Sequence, residues 1–167
     1  FYLKVKNYKD ETNTNLDLFF NAFNDGKPSS GNFLMKSDNI ILSDSRFVML
    51  DYNKVMPKDL DFSEINAKLK AFNIKGPNVS TTINTMSFKD HRGIYVKNLT
   101  SDFIYTKRCI VLNKLKLKTN NSFLDGKIVL DYNIENGDFK DFNNRVIFDV
   151  HVDSSQIATN DIRYFYS

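Results

Sequence analysis

The sequence predicts an all-β protein, an elongated antiparallel sheet folded into an open groove (a β-taco or β-solenoid-like shape) with an apolar concave face. Three observations favour this class. The 167 residues include 15 phenylalanines and eight tyrosines, with many Val, Ile and Thr residues in strand-like runs. Such runs recur roughly every 10 to 20 residues between turn signals. Finally, one alternating pattern repeats four times between residues 60 and 119, which are the clearest repeats.

Each copy of the repeat alternates apolar and polar residues, skips two polar positions, and then alternates again. Side chains of a strand point to alternate faces, so an extra residue would send the later apolar side chains to the wrong face. A β-bulge absorbs that residue and bends the strand. The copies are Leu60-x-Phe62-x-x-Ile65-x-Ala67-x-Leu69, Val79-x-Thr81-x-Ile83-x-x-Met86-x-Phe88, Ile94-x-Val96-x-x-Leu99-x-Ser101-x-Phe103-x-Tyr105 and Ile110-x-Leu112-x-x-Leu115-x-Leu117-x-Thr119.

The remaining elements are predicted in chain order. Residues 1–9 indicate a short strand, and 15–23 favour a strand over a short helix. A loop over 25–31 is followed by strands over 33–42 and 47–52, which share the two-residue skip and form a degenerate fifth copy.

After the repeats, residues 126–134 alternate strictly and predict a strand, as do 145–152. Asp125-Gly126 and Asn136-Gly137 are interpreted as turns. The chain closes with the start of a short helix at 161–165. We expect residues 1–167 to form a single segment of a longer repeat-like groove. The alternative is a closed β-sandwich, in which the same apolar faces make an ordinary core.

Composition argues against a polyanionic partner. Lys plus Arg total 23 and Asp plus Glu total 20, without a basic run, so nucleic acid is not an expected partner. Cys109 is the single cysteine, which excludes an internal disulfide. No signal peptide or membrane-spanning apolar run is present. Because the chain starts at Phe1 inside a strand-like run and ends after an aromatic run, we expect both ends to have been cut from a longer polypeptide.

Signatures of catalysis are absent from the sequence. There is no nucleophile elbow, no phosphate-binding glycine loop and no zinc-protease motif. The two histidines, His91 in a turn and His151 in a strand, are far apart and have no cysteine cluster beside them. We therefore predict no catalytic residues, no metal and no cofactor, and a protein that is not an enzyme.

The stretch 60–132 resembles TamB proteins of the Bacteroidota type, in the AsmA-like superfamily. The resemblance lies in Leu60-Asp61-Phe62-Ser63-Glu64-Ile65, in Met86-Ser87-Phe88-Lys89-Asp90-His91-Arg92-Gly93-Ile94-Tyr95-Val96-Lys97-Asn98-Leu99, and in Leu115-Lys116-Leu117-Lys118-Thr119-Asn120-Asn121-Ser122-Phe123-Leu124-Asp125-Gly126. The closing segment 154–165 is also similar. The chain departs from the family pattern at Ile94, where the family prefers Phe, and at Asn120, where it prefers Pro.

This resemblance implies a function. Proteins of this family are anchored in the inner membrane and cross the periplasm as a folded β-groove that carries phospholipids between the membranes. They support outer-membrane biogenesis and protein secretion as the translocation and assembly module, with a TamA-type outer-membrane β-barrel as partner. We thus expect phospholipids as partners, their acyl chains as the transported ligand, and a periplasmic location. A non-enzymatic β-sandwich binding or adhesion module is the alternative.

An open groove would expose more apolar surface than a monomeric domain ordinarily leaves uncovered, and acyl chains would cover it. The contact would be non-directional, so we predict no head-group pocket in this segment. The residues predicted to line the groove are Phe62, Ile65, Leu69, Ile83, Met86, Phe88, Val96, Leu99, Phe103, Leu112, Leu115, Leu117, Ile128, Leu130 and Tyr132.

Overall fold

The fold is described by a computed structural model covering residues 1–16, 18, 34–56, 58–76, 78–106, 108–131 and 146–163. Its regular structure includes eight strands and a short helix that follows the last strand. The strands are β1 (Tyr2–Asn7), β2 (Leu34–Asp51), β3 (Lys58–Lys75), β4 (Asn78–Asp90), β5 (Tyr95–Tyr105), β6 (Cys109–Lys118), β7 (Phe123–Asp131) and β8 (Ile147–Gln156). The helix α1 spans Thr159–Arg163.

The eight strands form one sheet in which spatial order follows chain order from β1 to β8. Consecutive strands from β2 to β8 pair antiparallel. Among the described strands, β1 alone pairs parallel, along β2. The sheet does not close, since β1 and β8 do not pair with each other. The all-β, mostly antiparallel prediction is confirmed. In the described part of the chain the strands lie in one open sheet, not in the two facing sheets of the sandwich alternative.

Register shifts fall where the sequence skips two residues. In β3 the shift lies between Ser63 and Asn66, and in β6 between Leu112 and Leu115. Glu64 and Lys114 take positive φ angles of 52° and 51° there, which marks them as the residues that absorb the extra length. The skips of β4 and β5 likewise coincide with shifts between these two strands.

Among the described residues the buried apolar side chains are few, and they are spread over β1 to β6 rather than gathered in one core. All are aliphatic, from Leu115 at 2% exposed to Val5 at 8%. They are Val5, Val48, Ala67, Ile83, Val96 and Leu115. Buried hydroxyls between them are satisfied by backbone: Ser101 Oγ donates to the Asn113 carbonyl at 2.9 Å and Thr81 Oγ1 to the Lys70 carbonyl at 3.0 Å.

Several predicted boundaries are corrected. The strands expected at 33–42 and 47–52 are one continuous strand, β2, which bends at Asp44 (φ 42°) instead of breaking. Residues 15, 16 and 18, expected to be extended, are helical, and the rest of 15–23 lies outside the described residues.

The turn expected at Asp125-Gly126 is also wrong. Both residues lie inside β7, at the register shift that faces β8, because glycine permits a close strand approach as readily as a turn.

Candidate functional site

A cavity of about 440 Å³ opens at one end of the sheet, between β3 and α1. Ten of the 15 side chains around it are apolar, and the polar ones belong to two turns and to α1. Its lining comprises Phe62, Phe88, Asp90, Arg92, Ile94, Val96, Leu99, Leu117, Thr119, Ser122, Phe123, Leu124, Ile128, Ile157 and Asp161.

Three of the cavity residues, Leu99, Leu117 and Leu124, belong to a row of directly paired residues that runs across the sheet. Directly opposite residues in a sheet share a face, so a row of apolar pairs is a continuous apolar strip. One strip crosses six strands through Leu42, Ala67, Met86, Leu99, Leu117 and Leu124. Another crosses seven strands through Met35, Ile74, Val79, Tyr105, Ile110, Leu130 and Phe148.

Three phenylalanines form a packed group at the β3 side of the cavity. Phe62 stacks on Phe47 with ring centroids 6.4 Å apart, and it meets Phe88 edge-on at 5.0 Å. Both are favourable geometries for aromatic pairs. Phe62 and Phe88 line this side of the cavity, and Phe47 packs against Phe62.

The β4–β5 turn places one ion pair at the cavity. Asp90 Oδ1 accepts from Arg92 Nε at 2.9 Å, and Oδ2 accepts from Nη2 at 2.7 Å. Burial raises the pKa of the Asp90 carboxyl, yet the hydrogen bonds from Arg92 outweigh it and leave that pKa below its ordinary value. The two charges therefore neutralise each other, and the carboxylate remains ionised in a largely apolar setting.

The β6–β7 turn is tied to α1 by a second carboxylate. Asp161 Oδ2 accepts from Thr119 Oγ1 at 2.5 Å and from Ser122 Oγ at 2.6 Å. These hydrogen bonds lower the pKa of Asp161 below its ordinary value. Ser122 Oγ also accepts the Ala158 amide at 2.9 Å, so the segment that carries Ile157 is held against the cavity.

Six of the predicted groove residues line the cavity: Phe62, Phe88, Val96, Leu99, Leu117 and Ile128. Ile83 and Leu115 are buried inside the sheet. Ile65, Leu69, Met86, Phe103, Leu112 and Leu130 are half-buried residues that do not line it. Tyr132 lies outside the described residues.

Sequence reasoning missed several residues of the cavity. Ile94 opens the third repeat and could have been included, because it precedes Val96 by two positions. Phe123, Leu124 and Ile157 lie outside the repeats, where no periodic signal marks them. Asp90, Arg92, Thr119, Ser122 and Asp161 are polar and meet only through the turns.

Neither a metal site nor a membrane-spanning helix is found in the part of the chain that the structure describes. No three His, Cys, Asp or Glu side chains there come close enough together to hold a metal ion. Among the same residues, no helix has the length and apolar character needed to cross a bilayer.

The comparisons with known proteins identify no relative. No protein-family model matches the chain, and no curated protein and no solved structure matches it either. The resemblance to TamB-like proteins accordingly stays a prediction drawn from the residues themselves.

Proposed function

We propose that this chain is a non-enzymatic segment of a lipid-transfer bridge, which holds phospholipid acyl chains against the apolar strips of its sheet. The observation that carries the proposal is the cavity, with six predicted groove residues in its lining and a strip of paired apolar residues leading to it. In this proposal the strips together form the apolar concave face of an open groove.

An acyl chain suits this surface on physical grounds. The cavity volume of about 440 Å³ lies in the range of small-molecule sites. Each methylene that leaves water contributes about 0.8 kcal/mol, and the contact has no preferred direction along the chain. Arg92 already donates from Nε and Nη2 to Asp90, so the positive charge at the cavity is paired within the chain.

The wider setting rests on the resemblance. A TamB-like parent would span the periplasm from the inner to the outer membrane, carry phospholipid along the groove, and work with a TamA-type barrel in outer-membrane assembly. The strands described here would supply one stretch of that path.

The proposal is tested by lipid extraction from the purified chain and mass spectrometry of the extract. Leu117→Asp places a carboxylate in the cavity lining, and we expect it to reduce co-purified or reloaded phospholipid by about tenfold or more, because an unpaired charge opposes an acyl chain. Leu117 is preferable to Leu115, which is only 2% exposed, so that Leu115→Asp would disrupt the sheet itself.

Val111→Asp is the matched control. Val111 is half-buried in the same strand but does not line the cavity. We expect it to retain lipid while showing a comparable loss of stability. If folded Leu117→Asp binds as much phospholipid as the unmodified chain, or if the unmodified chain takes up none from vesicles, the lipid proposal is wrong.

A further inference from the structure

The segment that follows β8 forms a short strap beside the cavity. The strap is defined as residues 157–161, which lead from the end of β8 into α1. Two of its side chains, Ile157 and Asp161, belong to the cavity lining. Ile157 is nevertheless 54% exposed, so movement of the strap away from the cavity would expose little additional apolar surface to water.

Side-chain hydrogen bonds join the strap to the β6–β7 turn. The Asp161 carboxylate accepts from the hydroxyls of Thr119 and Ser122, and from Asn121 Nδ2 at 3.4 Å. Ser122 Oγ in turn accepts from the Ala158 amide at 2.9 Å. These four hydrogen bonds are called the clasp below. Because they meet at one carboxylate and one hydroxyl, a single substitution removes more than one of them.

The turn keeps its own hydrogen bonds when the clasp opens. Thr119 Oγ1 accepts from the Asn121 and Ser122 amides at 3.2 and 2.8 Å, and the Thr119 amide donates to the Ser122 carbonyl at 2.9 Å. The Thr119 hydroxyl also has a second acceptor, the Ser122 carbonyl oxygen at 3.3 Å. Release of Asp161 therefore leaves the turn folded and the Thr119 hydroxyl with a partner.

The strap is likewise held by a hydrogen bond of its own. The Asp161 amide donates to the Ala158 carbonyl at 3.0 Å, within the strap. The clasp thus joins two locally folded pieces through side chains, and it can open without unfolding either piece. Lids over binding sites are commonly segments of low local stability that move in this way.

We propose that the strap is a gate over the cavity, closed by the clasp. An apolar chain enters or leaves when the clasp opens, and closure returns Ile157 to the lining. The identity of that chain, a phospholipid acyl chain, rests on the proposed function. The gate itself acts on any apolar molecule small enough for the cavity.

The probe is Nile red, an uncharged dye that fluoresces in apolar surroundings, mixed with the full 167-residue chain in a stopped-flow instrument. The relevant phase is the one that Leu117→Asp removes, since Leu117 lines the cavity. We expect Asp161→Ala to raise the entry and exit rate constants of this phase about three- to tenfold, because it removes three hydrogen bonds of the clasp.

Ser122→Ala should act in the same direction, because it removes the hydrogen bonds of Ser122 Oγ to Asp161 and Ala158. Since both substitutions open one clasp, the double variant should be faster than either by less than the product of the two single effects. Hydrogen exchange of the Ala158 amide should quicken in both single variants. Asp149→Ala, at an exposed position of β8 that does not line the cavity, is the matched control and should change none of these rates.

Equal dye rate constants in the unmodified chain and in Asp161→Ala, with faster exchange of the Ala158 amide, would make the strap a fixed part of the wall and overturn the gate. Absence of any dye phase that Leu117→Asp removes would also overturn it. Uptake of phospholipid from phosphatidylcholine vesicles separates the two proposals. Gated dye entry without phospholipid uptake would support the gate and contradict the proposed function, whereas equally fast phospholipid uptake by the unmodified chain and Asp161→Ala would do the reverse.

Discussion

The two edges of this sheet differ in how their backbone is protected. At the first edge, β1 has only six residues, buries Val5 to 8% exposed, and has backbone groups of Lys4 and Lys6 bound by the Asn15 amide. At the other edge, β8 has ten residues, all exposed. The two edges of one open sheet are thus covered to different extents: Asn15 and the bridge between Asn7 and Thr14 bind the backbone of β1, whereas all the described side chains of β8 are exposed.

Ion pairing follows the same asymmetry. Toward the β1 side of the sheet, the Asp61 carboxylate of β3 is 5% exposed and binds Arg46 of β2 through two hydrogen bonds of 2.9 Å and Lys58 through one of 3.0 Å. In β8 the pair of His151 and Asp153 is mostly in water, and exposed pairs contribute little. The first side of the sheet thus has a buried, paired carboxylate, whereas the ion pair of His151 and Asp153 in β8 is exposed.

The largest loss of stability is expected from a substitution at the close contact between β7 and β8. A Cβ at Gly126 would overlap the His151 carbonyl oxygen and contact the backbone of Val152. We expect Gly126→Ala to separate the strands locally and to lower the free energy of unfolding by about 1 to 3 kcal/mol. Urea denaturation measures the loss, and hydrogen exchange should show that β8 loses protection before β1 does.

Lys127→Ala is the control for this substitution, because Lys127 is exposed and adjacent in β7. It should leave both the free energy of unfolding and the exchange of β8 nearly unchanged. Equal stability of Gly126→Ala and the unmodified chain would show that the β7–β8 contact tolerates a side chain and that β8 is held less closely than we infer.

An intermediate loss of stability is expected at acid pH, when the Asp61 carboxylate becomes protonated. Hydrogen bonds from Arg46 lower the pKa of Asp61 to about 2, against the opposing effect of burial, with help from Lys58. Because this pKa is lower in the folded chain than in the unfolded one, the stabilisation is complete above about pH 4 and is lost as pH falls toward 2. This stabilisation contributes about 1 to 2 kcal/mol to the free energy of unfolding, because solvent screens the charges of the half-exposed Arg46 and Lys58.

Asp61→Asn tests this assignment by urea denaturation at several pH values. The variant should be less stable at pH 7 and should lose less stability than the unmodified chain between pH 4 and pH 2. Asp38→Asn, at an exposed position of β2, provides the comparison. If the two variants behave alike, the ion pairs of Asp61 do not distinguish the β1 side from the β8 side.

The sequence predicts some of these features and not others, for physical reasons. Alternation with a two-residue skip located the bends near Glu64 and Lys114, because the pleat allows few other ways to keep one face apolar. The role of Asn15 was not predictable, since it depends on where residues 8–16 fold back. Likewise Asp161 reaches Thr119 only through the tertiary fold, across a separation of 42 residues.

The smallest loss of stability is expected when the hydrogen bonds from Asn15 to β1 are removed. Asn15→Ala removes one acceptor from the Lys6 amide and one donor from the Lys4 carbonyl, and we expect a loss of about 1 kcal/mol, because water replaces the amide at this half-buried edge. The sharper measurement is the exchange rate of the Lys6 amide, which should rise while the exchange rates of the β8 amides stay the same.

Asn13→Ala, at an exposed position of the same segment, is the control and should leave the exchange rate of the Lys6 amide unchanged. Should Lys6 stay protected without Asn15, the backbone bridge between Asn7 and Thr14 would be sufficient to close this edge, and the difference between β1 and β8 would then lie in the main chain rather than in one side chain.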